Sequence, residues 1–103
     1  MYKLVFFVPA EYKDAVKQAV FATGAGKIGD YDQCCWEVLG RGQFRALAGA
    51  NPFIGEKDRL EVVDEYRVEL VCADNLIKSA VSALVAAHPY EEPAYDVIRL
   101  EQI

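Results

Sequence analysis

Between Arg59 and Val71 the chain alternates with a period of two. Leu60, Val62, Tyr66, Val68 and Leu70 fall on one side; Glu61, Glu65, Arg67 and Glu69 fall on the other, with Val63 and Val71 as exceptions. One apolar and one charged side is the pattern of a long strand half buried in an antiparallel sheet. Any fold for this chain has to pair that strand in a sheet and cover one of its faces.

The remaining segments supply the partners. Tyr2–Val8 is predicted as a strand with large apolar groups on both sides: Tyr2, Leu4, Phe6 and Val8 on one, Val5 and Phe7 with Lys3 on the other. Pro9 ends it, because proline cannot donate to a ladder. Tyr12, Ala15, Val16, Ala19, Val20 and Thr23 recur at helical spacing, so a helix is predicted over residues 11–23, with Gly24 placed to close it. A second strand is predicted near Gln33–Leu39, broken or bulged at Gly40-Arg41-Gly42 and continued by Gln43–Ala48. The stretch from Gly49 to Gly55 is dense in turn formers. Asp74 stands where it would cap a second helix, whose apolar side is Leu76, Ile77, Ala80, Val81, Leu84 and Val85 and which stops before Pro89. Ala94–Leu100 reads as the last strand. The order β-α-β-β-α-β predicts an α+β ferredoxin-like fold: an antiparallel sheet with two helices on one face. The other face is left to solvent or to a partner.

Length and charge exclude several classes. With 103 residues there is room for one small domain, spanning 1–103. Sixteen acidic against eleven basic residues give a net charge of −5, with no Lys/Arg cluster, which argues against nucleic acid and anionic membranes as partners. No apolar run approaches the length of a membrane span. The N-terminus has no small-residue cleavage site, and three cysteines cannot all pair, so a reducing, cytoplasmic setting is expected.

Candidate chemistry is sparse. Gly24-Ala25-Gly26-Lys27-Ile28-Gly29 matches G-x-G-x-x-G, but a helix precedes it and a strand follows, the reverse of a dinucleotide site. It reads as a helix end followed by a flexible turn. Cys34 and Cys35 are neighbours in a predicted strand and would point to opposite faces; with Cys72 they read as small hydrophobes. The single histidine, His88, ends the second helix. It suits a structural terminator, or a ligand or metal site with Glu91 and Glu92. Trp36, Phe44, Phe53, Tyr31, Tyr90 and Tyr95 could line a small pocket or pack in a core or interface. No catalytic residue is assigned, and no cofactor is expected.

Three segments carry a family resemblance: Gly26-Lys27-Ile28-Gly29-Asp30-Tyr31, Asn51-Pro52-Phe53-Ile54-Gly55-Glu56 and His88-Pro89-Tyr90-Glu91-Glu92-Pro93-Ala94-Tyr95-Asp96. With them the chain resembles, over its whole length, the small CutA/PII-like domain found inserted in members of the Nif3-like family. That family is also described as type 2 GTP cyclohydrolase I. The resemblance implies a ferredoxin-like fold and trimeric packing similar to that of CutA and PII proteins. It also implies a larger surrounding domain with a dinuclear metal site built from several histidines and acids. These 103 residues hold one histidine and no match to that ligand set, so the parent family's hydrolase-like activity is not expected of them. The expectation is a self-associating, non-catalytic module for regulation or sensing. The alternative is a small-ligand or divalent-metal binder of the CutA/PII type. Val5 and Phe7, opposite the Leu4/Phe6 face, are the candidate interface residues, because helices on one side only would leave them open in a lone subunit.

Overall fold

The computed structural model describes all 103 residues. Strand β1 (Tyr2–Pro9) is followed by a short 3-10 turn (Ala10–Tyr12) and helix α1 (Lys13–Phe21). Then come β2 (Trp36–Arg45), β3 (Leu60–Cys72), helix α2 (Ile77–Ala87) and β4 (Tyr95–Arg99). The strands form one sheet in the order β2-β3-β1-β4, and all three neighbouring pairs are antiparallel. This is the ferredoxin-like arrangement expected from the order of elements.

Helices α1 and α2 pack together over one face of the sheet. Leu4, Phe6 and Val8 of β1 meet Val68, Leu70 and Cys72 of β3 and Val16, Val20, Ala80 and Leu84 of the helices, all buried. The core thus uses one parity of each central strand and one stripe of each helix, as alternation and helical spacing require. Beside it, Glu37 of β2 accepts from both Lys13 Nζ and Lys17 Nζ at 2.6 Å, pinning α1 to the sheet.

The core stops short of the strands. Only the last third of β3 is covered; Val62 is 54% exposed and Leu60 is also exposed, although both share the parity of Val68. The β2–β3 hairpin continues past the helices as an arm, and the molecule measures 46 × 24 × 24 Å. A strand longer than its helical cover must show its apolar side somewhere, and it does so on the arm.

Four local expectations are corrected. Gly40-Arg41-Gly42 neither breaks nor bulges β2: the pairing with β3 is one to one from Trp36↔Glu69 to Arg45↔Leu60. The glycine at 42 serves clearance instead, because a Cβ there would overlap the Glu65 carboxylate. Asp74 does not cap α2. Its carboxylate pairs with the Met1 amine and, at 3.5 Å, with Arg99, and the helix begins after a turn closed by the Leu76 N–H on the Ala73 carbonyl. The second strand starts at Trp36, after Gln33 takes a left-handed φ of 54°, so Cys34 and Cys35 lie just before it. Finally, Val5 is not open in a lone subunit; it is 1% exposed. Its own strand places Lys3 and Phe7 beside it, and Glu69 and Asp96 flank it across the sheet. A short side chain in the middle of a sheet is sheltered by longer neighbours even with no layer above. Phe7 is half buried, with the Arg67 guanidinium over its ring.

Candidate functional site

The site is built at the end of α2. Pro89 cannot continue a helix and disfavours helical backbone before it, so His88 turns extended, with φ −73° and ψ 137°. The residue is 6% exposed. Nδ1 accepts the Tyr90 backbone N–H at 3.1 Å, which leaves the ring proton on Nε2; that N–H donates to the Phe7 carbonyl at 2.7 Å. Phe7 lies beyond the first residue of β4, so the ring takes a place in the ladder that the strand does not fill. Burial lowers the His88 pKa, against the smaller opposing pull of the Phe7 carbonyl and the Glu65 charge. Both ring nitrogens are spent on backbone, and His88 is a bolt between α2 and β1.

The bolt aims Tyr90 across the sheet. Its hydroxyl donates to Glu65 Oε2 at 2.7 Å, and its ring meets Phe44 edge-on at 6.0 Å. Burial and the Glu65 carboxylate together raise the phenol pKa far above its ordinary value, so the hydroxyl keeps its proton. Glu65 reaches this position by leaning over Gly42. One residue on, Glu91 Oε1 accepts the Asn51 backbone N–H at 3.1 Å, and Phe53 packs edge-on against Tyr12 at 5.6 Å. These contacts hold the loop that joins β2 to β3 against the segment that follows α2, through Glu91, and against the turn that follows β1, through Tyr12.

Between them lies a cleft of about 260 Å³. Phe44, Pro52, Phe53, Ile54 and Tyr90 supply apolar walls, and Glu65, Glu91 and Glu92 supply carboxylates. Two of the three family segments, Asn51–Gly55 and His88–Ala94, therefore meet here. Tyr95 and Asp96 continue into β4, opposite Phe6 and Val5.

The third segment is at the other end of β3. Gly26 N–H donates to the Val71 carbonyl at 2.8 Å, and a Cβ at Gly26 would strike the Phe21 ring. Gly29 sits at φ +57° in the turn that pairs Ile28 with Tyr31, whose ring is exposed. Those residues serve packing and turning, and they do not touch the cleft. No group of three or more His, Cys, Asp or Glu side chains converges to hold a metal ion. His88, Glu91 and Glu92, grouped as ligand candidates by sequence, do not converge either: the ring is buried and engaged, while the carboxylates stand exposed on the cleft side. Of the aromatics read as pocket candidates, Phe44, Phe53 and Tyr90 line the cleft and Trp36, Tyr31 and Tyr95 do not; Glu65 and Gly42 are the site residues that sequence reasoning did not assign.

The topology and the long β2–β3 hairpin define the class. The chain aligns over its full length with 86% of CutA1 from Pyrococcus horikoshii, at a TM-score of 0.71 and 15% identity, a likeness of fold alone. No family model matches the chain. Its relatives in sequence are more specific. A GTP cyclohydrolase 1 type 2 homolog of Mycobacterium tuberculosis is 50% identical over 98 residues, which are 95% of this chain and 26% of that protein. A Bacillus cereus protein related to NIF3 matches at a TM-score of 0.80 and 38% identity, over 98% of this chain and 26% of that one. Over nearly its whole length the chain is thus similar to one part of these Nif3-related proteins, with a CutA-like fold, and it spans about a quarter of their length.

Proposed function

We propose that these residues form a non-catalytic module that self-associates through the open face of its sheet and serves regulation or sensing in the cytoplasm. The observation that carries this reading is the surface opposite the helices. Trp36, Val38 and Ile98 share that face; Trp36 is 58% and Ile98 48% exposed. They lie on the two edge strands, with Phe7 half covered between them. Full burial of one such side chain is worth about 1.5–3 kcal/mol, so a second copy covering both edges gains substantially. Closed symmetry would repeat that gain in every subunit. A trimer is favoured by the resemblance to CutA and PII proteins, and the burial argument applies equally to a dimer.

The non-catalytic part rests on the donor set. The one histidine is committed to backbone through both nitrogens, and the carboxylates do not gather around a common point. The three cysteines are unpaired, which suits a reducing compartment. Native mass spectrometry at low micromolar concentration tests the reading. It predicts an oligomer, with three subunits favoured; a lone subunit under those conditions counts against it.

A second reading, that the module binds a small ligand, is favoured by the cleft between Phe44 and Tyr90. A concave, mostly apolar pocket with a few convergent polar groups is the usual form of a ligand site.

A further inference from the structure

The cleft's charge narrows what it can hold. Three carboxylates line it and no lysine or arginine does. Two of the three are fixed in advance by one oxygen each: Glu65 by the Tyr90 hydroxyl and Glu91 by the Asn51 backbone N–H. Glu65 is half buried and has no ion-pair partner within 4 Å; the nearby Arg67 pairs with Glu69 instead, at 3.5 Å. With one hydrogen bond from Tyr90 and no cation beside it, this carboxylate keeps acceptor capacity for a ligand. The walls facing it are aromatic, and ring faces attract cations. An anionic ligand would meet three like charges and no donor cation. A bare divalent ion would find no converging ligand set. A volume of about 260 Å³ calls for a compact guest, since pockets for drug-sized ligands run from roughly 300 to 1,000 Å³.

We propose that the cleft binds a small organic cation, an ammonium or amidinium group carried on a compact apolar or aromatic body. The body would lie between Phe44, Pro52 and Tyr90, and the charged end would meet the free oxygen of Glu65, with Glu91 and Glu92 adding negative charge along the cleft wall. Tyr90 donates its O–H to Glu65 in a hydrogen bond, so its hydroxyl oxygen is left as a further acceptor for the cation's N–H. Because Glu65 is already held by the Tyr90 hydroxyl, binding costs little ordering of that carboxylate. This inference rests on the reading that the cleft is a ligand site, and adds the class of ligand.

The test is a charge series of one shape. Benzylammonium, benzyl alcohol and benzoate are titrated into the isotopically labelled protein at neutral pH, and the backbone amide shifts of Phe44, Ala46, Tyr90 and Ala94 are followed. The expected result is saturable shifts at those positions with benzylammonium at least tenfold tighter than benzyl alcohol, and none with benzoate. Glu65→Gln keeps an acceptor for Tyr90, and Glu92→Gln changes an exposed group, so both should leave the far-UV circular dichroism unchanged. Each should weaken benzylammonium at least fivefold and leave benzyl alcohol unaffected. Equal binding of all three probes, or of benzylammonium to both variants, overturns the cation assignment while leaving a ligand site. No shift at the cleft with any probe overturns the assignment and the ligand-site reading together.

Discussion

Tyr90 and Glu65 lie 25 residues apart and share one hydrogen bond of 2.7 Å, which ties the segment after α2 to the middle of β3. The bond exists because residue 42 has no side chain to displace the carboxylate. Tyr90→Phe removes the donor and leaves a half-buried carboxylate without it, and a hydrogen bond to a charged group is worth about 1.5–3 kcal/mol when well shielded. Partial exposure reduces this, and a loss of about 1 kcal/mol is expected. Gly42→Ala should lose a similar amount by pushing Glu65 aside. Urea unfolding of both variants checks this: the midpoint should fall with the slope unchanged.

His88 makes stability depend on pH. In the folded chain its pKa is lowered by burial, while in the unfolded chain it stays near the ordinary value of about 6.5. The unfolded state therefore takes up the proton first, and stability rises with pH through this range. The His88 contribution is complete above about pH 6.5 and is lost as pH falls toward and through the lowered folded value. Protonation also turns Nδ1 into a donor facing the Tyr90 N–H, breaking that bond. In His88→Gln the amide can still reach the Phe7 carbonyl but cannot accept from Tyr90, a cost of about 1 kcal/mol at neutral pH. Chemical denaturation between pH 7.5 and 5 should give a flatter stability profile for His88→Gln than for the parent chain.

Val5 should behave as a core residue despite lying on the open face, because it is 1% exposed within one chain. Val5→Ala deletes two methyl groups at about 0.8 kcal/mol each, and a loss near 1.5–2 kcal/mol is expected. That loss should be independent of protein concentration. A destabilisation that grows on dilution would place Val5 between copies instead.

How far the sequence carried is visible in these residues. The order of elements and the centre of each pattern survive in the fold (Val68 and Leu70 of β3, Val16 and Val20 of α1, Ala80 and Leu84 of α2), because each depends on spacing within one segment, while Leu60, Val62, Ala15 and Val85, read as apolar-side residues, are exposed. The exposure of Val5 was misjudged because shelter in a sheet comes from cross-strand neighbours, here Glu69 and Asp96, which sequence spacing does not reveal. The role of Gly42 was hidden for the same reason: its neighbour is a side chain from another strand. At the site, His88, Tyr90, Glu91 and Asn51 were singled out as motif residues, while Asn51 and Glu91 meet only through a contact across 40 residues. Asp74 had the right residue type for a cap, but an ion pair with Arg99 and the Met1 amine claimed its carboxylate.

The absence of an assembled donor set leads to a prediction about chemistry. The purified chain supplied with Mn²⁺, Zn²⁺ or Fe²⁺ should hydrolyse GTP and simple phosphoesters at the background rate, and His88→Gln should change nothing. Turnover well above background that disappears in the variant would show that these residues carry a hydrolytic centre.

Self-association through the open face is most directly tested by light scattering over a dilution series, with Trp36→Lys beside the parent chain. Trp36 is 58% exposed, so the substitution should leave the folded subunit intact. The account predicts an oligomer, near three times the 11.5 kDa subunit mass, that Trp36→Lys dissociates. A monodisperse species of 11.5 kDa at tens of micromolar, or an oligomer indifferent to Trp36→Lys, would contradict it.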